Sequence, residues 1–110
     1  MNLKDTSSSI QLWPFLLELL TSKESMALIH WVGDDGEFEF IEPELVAQMW
    51  GQQKGNSTMN FNKLSRALRN YYANGIINKV NGQQYIYKFM FDLKETLGYS
   101  VKELRSILNY

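Results

Sequence analysis

Lys63-Leu64-Ser65-Arg66-Ala67-Leu68-Arg69-Asn70-Tyr71-Tyr72 is the stretch on which the fold turns. It reads as a helix. A spacing of three puts the Arg66 and Arg69 guanidiniums on one face. Leu64, Ala67, Leu68 and Tyr71 fall largely on the other, where a core would lie. A guanidinium is a planar fork of donors whose best match among DNA base edges is O6 and N7 of guanine. Two such forks on the outer face of an anchored helix describe a helix that reads something.

Working outward, Asn74-Gly75 ends this helix, which is expected from about Asn60 to Tyr72. Two strands follow, Ile76 to Val80 and Gln84 to Phe89, with Asn81-Gly82 as a two-residue hairpin signal. Upstream, Gly51 to Ser57 is a polar connection. Before it, Pro43 opens a helix whose apolar residues Leu45, Val46, Met49 and Trp50 have helical spacing. Ala27 to Val32 and the alternating Glu37-Phe38-Glu39-Phe40-Ile41 are strands joined at Gly33-Asp34-Asp35-Gly36. Ile10 to Leu20 is a mostly buried helix, capped by Ser8 or Ser9, with Pro14 in its first turn. Two short helices close the chain, about Asp92 to Leu97 and Val101 to Leu108, the second with a Ser100/Glu103 capping box.

Two helices joined by a turn and followed by a β-hairpin make a winged helix-turn-helix. The expected class is α+β: three helices packed on a small four-stranded antiparallel sheet, with a C-terminal helical extension. The expected divisions are a tail over 1–9, the winged-helix domain over 10–91 and the extension over 92–110.

The 110 residues suit one domain, and 45% hydrophobic with 14% aromatic content is enough for a core. The chain has no cysteine, which removes disulfides and thiolate metal sites and fits a reducing compartment. No apolar run approaches the roughly 20 residues of a membrane helix. Met1 to Ser9 lacks the apolar stretch of a signal peptide.

A net charge of −1 hides a strong polarity. Residues 1–50 carry nine acids against Lys4 and Lys23, a net −7. Residues 51–91 carry Lys54, Lys63, Arg66, Arg69, Lys79 and Lys88 and no acid, a net +6. The last nineteen residues balance. Forty-one residues without Asp or Glu look like a surface cleared of repulsion for a polyanion.

Three residues of helix advance about 4.5 Å, and adjacent base pairs lie about 3.4 Å apart along a strand. Arg66 and Arg69 can therefore reach neighbouring guanines, with Lys63 one turn earlier at a phosphate and Asn70 beside Arg69 able to donate or accept.

Leu64-Ser65-Arg66-Ala67-Leu68-Arg69 resembles the recognition-helix signature of the ETS family of transcription factors. The likeness runs in register through Ile10-Gln11-Leu12-Trp13, Phe15 to Leu20, Ile29 to Asp34, Gly36-Glu37-Phe38, Glu44 to Ala47, Trp50-Gly51, Met59-Asn60-Phe61, Lys79 and Tyr85 to Phe89, covering about residues 9–108. It implies sequence-specific binding of duplex DNA with a GGAA or GGAT core by a monomeric nuclear domain, with no cofactor and no metal. Arg66 and Arg69 match the guanine-reading arginines. Leu12 matches a position whose backbone N–H takes a phosphate. Trp50, Lys54, Lys63, Lys79 and Tyr85 match further backbone contacts, and Tyr71 one of the tyrosines after the arginines. In one member the helices after the wing also pair with an ankyrin-repeat partner, a role that Leu104, Ile107 and Leu108 would fill here unless that stripe packs on its own domain.

The residues also have plainer readings. Trp50 ends an apolar stripe and belongs to a core, the Leu12 side chain is packing, and one of Tyr85 and Tyr87 faces inward. The chain departs from the family in one direction. Gln52, Gln53, Asn56, Thr58, Asn74, Gln83 and Gln84 stand where basic residues are usual, Phe61 stands for Tyr, and Asn70 for a frequent Tyr. Weaker, less salt-sensitive binding with the GGA preference kept is the expectation.

An enzyme is not expected. His30 is the sole histidine and sits in an apolar strand, while Glu37, Glu39, Glu42 and Glu44 read as a solvated acidic surface. The alternative to a DNA reader is a winged-helix protein-interaction module with weakened DNA binding.

Overall fold

Period-two alternation in Glu37-Phe38-Glu39-Phe40 is what builds the centre of the molecule. The computed structural model describes residues 10–109; the expected tail over 1–9, with its capping serines, and Tyr110 lie outside them. Strand β2 (Glu37–Phe40) turns Phe38 and Phe40 fully inward and leaves Glu37 and Glu39 on the other face. Strand β1 (Ile29–Val32) does the same with Ile29 and Trp31. With β3 (Ile77–Lys79) and β4 (Ile86–Phe89) they form one antiparallel sheet in the order β1-β2-β4-β3. Register pairs Trp31 with Phe38, Phe38 with Tyr87 and Lys79 with Tyr87.

Helix α1 (Leu12–Leu20) buries six residues, among them Leu16 and Leu20, and packs on β1. The buried Trp31 indole N–H donates to the Leu20 carbonyl at 3.0 Å, satisfying one of the helix's terminal acceptors. The helix begins later than the expected Ile10, at Leu12. Gln11 is its N-cap and makes no side-chain cap. A short 3₁₀ turn, Lys23–Ser25, then occupies the approach to β1, which starts at Ile29 and not at Ala27.

Helix α2 (Pro43–Lys54) opens with Pro43 in its first turn and runs past the expected stop at Trp50. Gly51, Gln52, Gln53 and Lys54 are helical, and Gly55 at φ +68° makes the C-cap. The glycine inside the helix answers to a neighbour. A Cβ at Gly51 would lie 2.6 Å from the Asn56 carbonyl oxygen and 2.7 Å from Met59 Cβ, so the turn into the next helix closes directly over it. Gly51→Ala is therefore expected to destabilise the domain by about 1–3 kcal/mol, as overpacking does. Equal urea midpoints for variant and parent would show that the turn yields freely.

Helix α3 (Phe61–Arg69) is capped by the Asn60 side chain, which accepts the Lys63 N–H at 2.9 Å. Leu64 and Leu68 are fully buried, and Ala67 is half-buried. The helix ends at Arg69, three residues before the expected Tyr72. The N–H groups of Asn70, Tyr71 and Tyr72 bond to the carbonyls three residues back, so the chain tightens into turns. The wing also differs from a two-residue hairpin. Val80 N–H bonds to the Ile86 carbonyl at 3.0 Å, leaving residues 81–85 as its loop.

Two short helices follow, α4 (Leu93–Leu97) capped by Asp92 and α5 (Val101–Ile107) with the expected Ser100/Glu103 capping box complete. Leu93, Val101, Leu104 and Leu108 join the core, and Arg105 ties α5 to the β1–β2 turn through the Gly33 carbonyl (2.9 Å) and Asp34 (3.1 Å). The architecture is an α+β winged helix-turn-helix.

Candidate nucleic-acid interface

Helix α3 packs on α2 and on β3, which leaves its opposite side outward. On that side Lys63, Arg66, Arg69 and Asn70 are all exposed. Among the described residues no hydrogen bond or ion pair engages either guanidinium. Both forks are available to an outside acceptor. Asn70 serves as the C-cap of the helix, which fixes its backbone beside Arg69.

The lysines are less free. Lys63 Nζ donates to the Thr58 carbonyl (3.1 Å) and hydroxyl (3.2 Å), bracing the turn before α3. Lys54 Nζ donates to the Ile10 carbonyl at 3.2 Å and lies over the Trp50 ring, 5.6 Å from its centre. Lys79 Nζ donates to the carbonyls of Val80 and Gln83 across the wing loop and lies 5.2 Å from the centre of the Tyr87 ring. Partial burial pushes the Lys79 ammonium below its ordinary range.

Aromatic residues join these elements. The Tyr71 hydroxyl accepts the Trp13 N–H at 3.1 Å, so the end of α3 is tied to the first turn of α1. Burial raises the Tyr71 phenol, and the N–H groups of Trp13 and Leu12 partly offset that rise. Tyr85 is half-buried, with its ring edge-on to Phe61 at 5.6 Å. Tyr87, two residues on in β4, is buried, and desolvation with the nearby Tyr72 pushes its phenol up to about 12 against the lowering effect of Arg69. Of the two tyrosines Tyr87 is the one that faces inward, while Tyr85 precedes the strand, in the wing loop.

The structure thus groups Arg66, Arg69, Lys63 and Asn70 on α3, flanked by Lys79 and Tyr85 of the wing and by the α1 terminus that Tyr71 contacts. Two expected contact residues are chiefly core. Leu12 is buried, so only its backbone lies at the helix terminus. Trp50 is 5% exposed and stacks at a tilt on Phe15, 5.1 Å between ring centres. Of the two readings of the C-terminal stripe, packing on its own domain holds for two of its three residues. Leu104 and Leu108 are buried against their own domain because α5 folds back onto it, and of the three only Ile107 is outward, at 61% exposure.

Sequence reasoning missed Glu44. Its carboxylate is not simply solvated but accepts the Phe61 N–H at 3.1 Å, the first N–H of α3. The two residues are seventeen apart, and nothing local signals the bond. Among the described residues no three His, Cys, Asp or Glu gather as a metal site, and no helix is long and apolar enough to cross a membrane.

Comparison with known proteins gives this geometry a family. The profile of the Ets-domain matches residues 9–90. The GA-binding protein alpha chain of Homo sapiens is 54% identical over 107 residues, which is 97% of this chain and 24% of that protein. Protein C-ets-1 of Homo sapiens is 48% identical over 103 residues, 94% of this chain and 23% of that protein. Protein c-ets-1-B of Xenopus laevis is 48% identical over 103 residues, 94% of this chain and 38% of that protein. The chain spans about a quarter to two-fifths of the length of these relatives. With a winged helix-turn-helix and an identity above half across nearly its whole length, the chain belongs to the Ets-domain family.

Proposed function

We propose that this Ets domain binds duplex DNA with a GGAA or GGAT core, laying α3 in the major groove so that Arg66 and Arg69 read the two guanines. The observation that carries this reading is the state of the pair: both arginines are outward on the reading helix, and among the described residues no carboxylate holds them. The rest of the grouping supplies phosphate contacts, from the α1 terminus at Leu12, from Lys54, Lys63 and Asn70, and from Lys79 and Tyr85 of the wing. The domain is a binding module of a transcription regulator and not an enzyme, and DNA reading places it in the nucleus. An electrophoretic shift with a GGAA duplex, beside a duplex mutated in the core, tests it. Equal shifts would favour the second reading, a winged-helix interaction module. A protein partner on the C-terminal helices, of the ankyrin-repeat kind that the family resemblance implies, would meet Ile107 and not Leu104 or Leu108.

The neutral residues around the pair set the salt dependence. Each phosphate neutralised by a cation steepens log K against log salt by about 0.9. Gln52, Gln53, Asn56, Thr58, Asn74, Gln83 and Gln84 still hydrogen-bond a phosphate but release no counterion. Binding is expected to be weaker than that of a lysine-rich Ets domain, with a slope shallower by about one unit per missing cation. Fluorescence anisotropy across a salt series checks this, and a slope as steep as the lysine-rich domain's would refute it.

A further inference from the structure

The N-terminus of a helix gathers unsatisfied N–H groups and about half a positive charge, which makes it a ready site for a phosphate. In α3 two of those N–H groups are already bonded. Asn60 takes the Lys63 N–H at 2.9 Å, and the Glu44 carboxylate, reaching across from the first turn of α2, takes the Phe61 N–H at 3.1 Å. Glu44 is the sole carboxylate hydrogen-bonded to α3 among the described residues. From Gly51 to Phe91 the chain carries no acid, so this one charge stands at the border of an otherwise acid-free surface.

We propose that Glu44 is a specificity-determining positioning residue. Its carboxylate acts as an internal substitute for a phosphate. It holds the start of α3 against α2 and denies that helix end to the DNA backbone, so the arginine face and not the helix terminus decides how the domain meets a duplex. The inference rests on the DNA reading proposed above. A complex held by Arg66 and Arg69 has its register set by the bases, and its phosphate contact at that end of α3 is the one proposed for Lys63. A complex on unrelated DNA has no such register and would use any anion site on offer. Glu44 thus suppresses the second kind of complex more than the first.

Glu44→Gln separates charge from geometry: the amide oxygen still accepts the Phe61 N–H, while the negative charge that keeps a phosphate from the rest of the helix end is gone. Affinity for a core-mutated duplex is expected to rise about two- to five-fold, the scale of a charge at a helix terminus. Its salt slope should steepen by about 0.9, one additional phosphate. Affinity for the GGAA duplex should change less, so the discrimination ratio falls. Glu42→Gln removes the same charge two residues away from a side chain not bonded to α3 and is expected to leave the ratio unchanged. Thermal melting of both variants accompanies the binding measurements; loss of fold lowers affinity for both duplexes and cannot steepen the slope. If Glu44→Gln leaves the core-mutated affinity and slope at parental values, or if Glu42→Gln reproduces its effect, the proposal is overturned. A parent protein that does not distinguish the two duplexes would instead overturn the DNA reading itself.

Discussion

Arg66→Lys and Arg69→Lys are each expected to abolish the preference for guanine at the base that arginine reads, one losing GGA over AGA and the other GGA over GAA, while leaving binding to unrelated DNA nearly unchanged. The charge is conserved, so the electrostatic attraction that supports nonspecific binding persists. What is lost is the fork: two parallel N–H donors that match guanine O6 and N7 together, which an ammonium on a flexible stem does not reproduce. Each bidentate pair is worth about 1–3 kcal/mol of discrimination, roughly five- to 150-fold in relative affinity. The effect should be large here because the surroundings are neutral, leaving the pair a greater share of the specific binding energy than in a lysine-rich domain. Competition binding with GGAA, AGAA and GAAA duplexes reads it out. A lysine variant that still discriminates against both mutated duplexes as the parent does would remove that arginine from the base-reading role.

Phe38→Ala should be the most damaging change to the fold. Phe38 is fully buried, and its ring lies within 5.1 to 6.5 Å of those of Phe89, Phe40, Tyr87 and Trp31, measured between centres. Truncating a buried Phe costs about 3–5 kcal/mol, against a total stability of about 5–15 kcal/mol for a domain. A melting temperature lower by about 12 °C or more is expected at this size. Ile107→Ala, on the exposed side of α5, should stay within about 0.5 kcal/mol of the parent. A Phe38→Ala protein that melts within two or three degrees of the parent would show that this ring cluster is not the keystone of the sheet.

What could be read from the chain alone was whatever is written in neighbouring residues. The alternation of Glu37 to Phe40 and the arginines three apart on α3 carry their meaning within one or two turns of chain, and both are found as expected. The Ser100/Glu103 box is legible for the same reason. Features made by distant residues were not. Gly51 looks like the start of a loop but is helical, because the carbonyl of Asn56 and the side chain of Met59 come too close for any larger residue. The end of α3 falls at Arg69 and not at Asn74-Gly75, since the turn bonds that follow lead Tyr71 to the N–H of Trp13, fifty-eight residues away. In the candidate site, the outward placement of Arg66 and Arg69 was legible, whereas the Glu44 contact and the burial of Leu104 and Leu108 depend on which surfaces meet.

The internal bonds of Lys54, Lys63 and Lys79 bear on the thermodynamics of association. Each ammonium is already held by a backbone carbonyl, at Ile10, at Thr58, and at Val80 and Gln83. Immobilising a long side chain at an interface costs about 0.5–1.5 kcal/mol, and a side chain pinned beforehand has settled most of that loss during folding. Among the cations proposed to meet the duplex, the lysines are held beforehand and the two arginines still have rotational freedom to surrender. The side-chain entropy these cations lose on binding should therefore be concentrated in Arg66 and Arg69, a difference that calorimetry on the arginine variants would register as a less unfavourable entropy alongside the lost enthalpy.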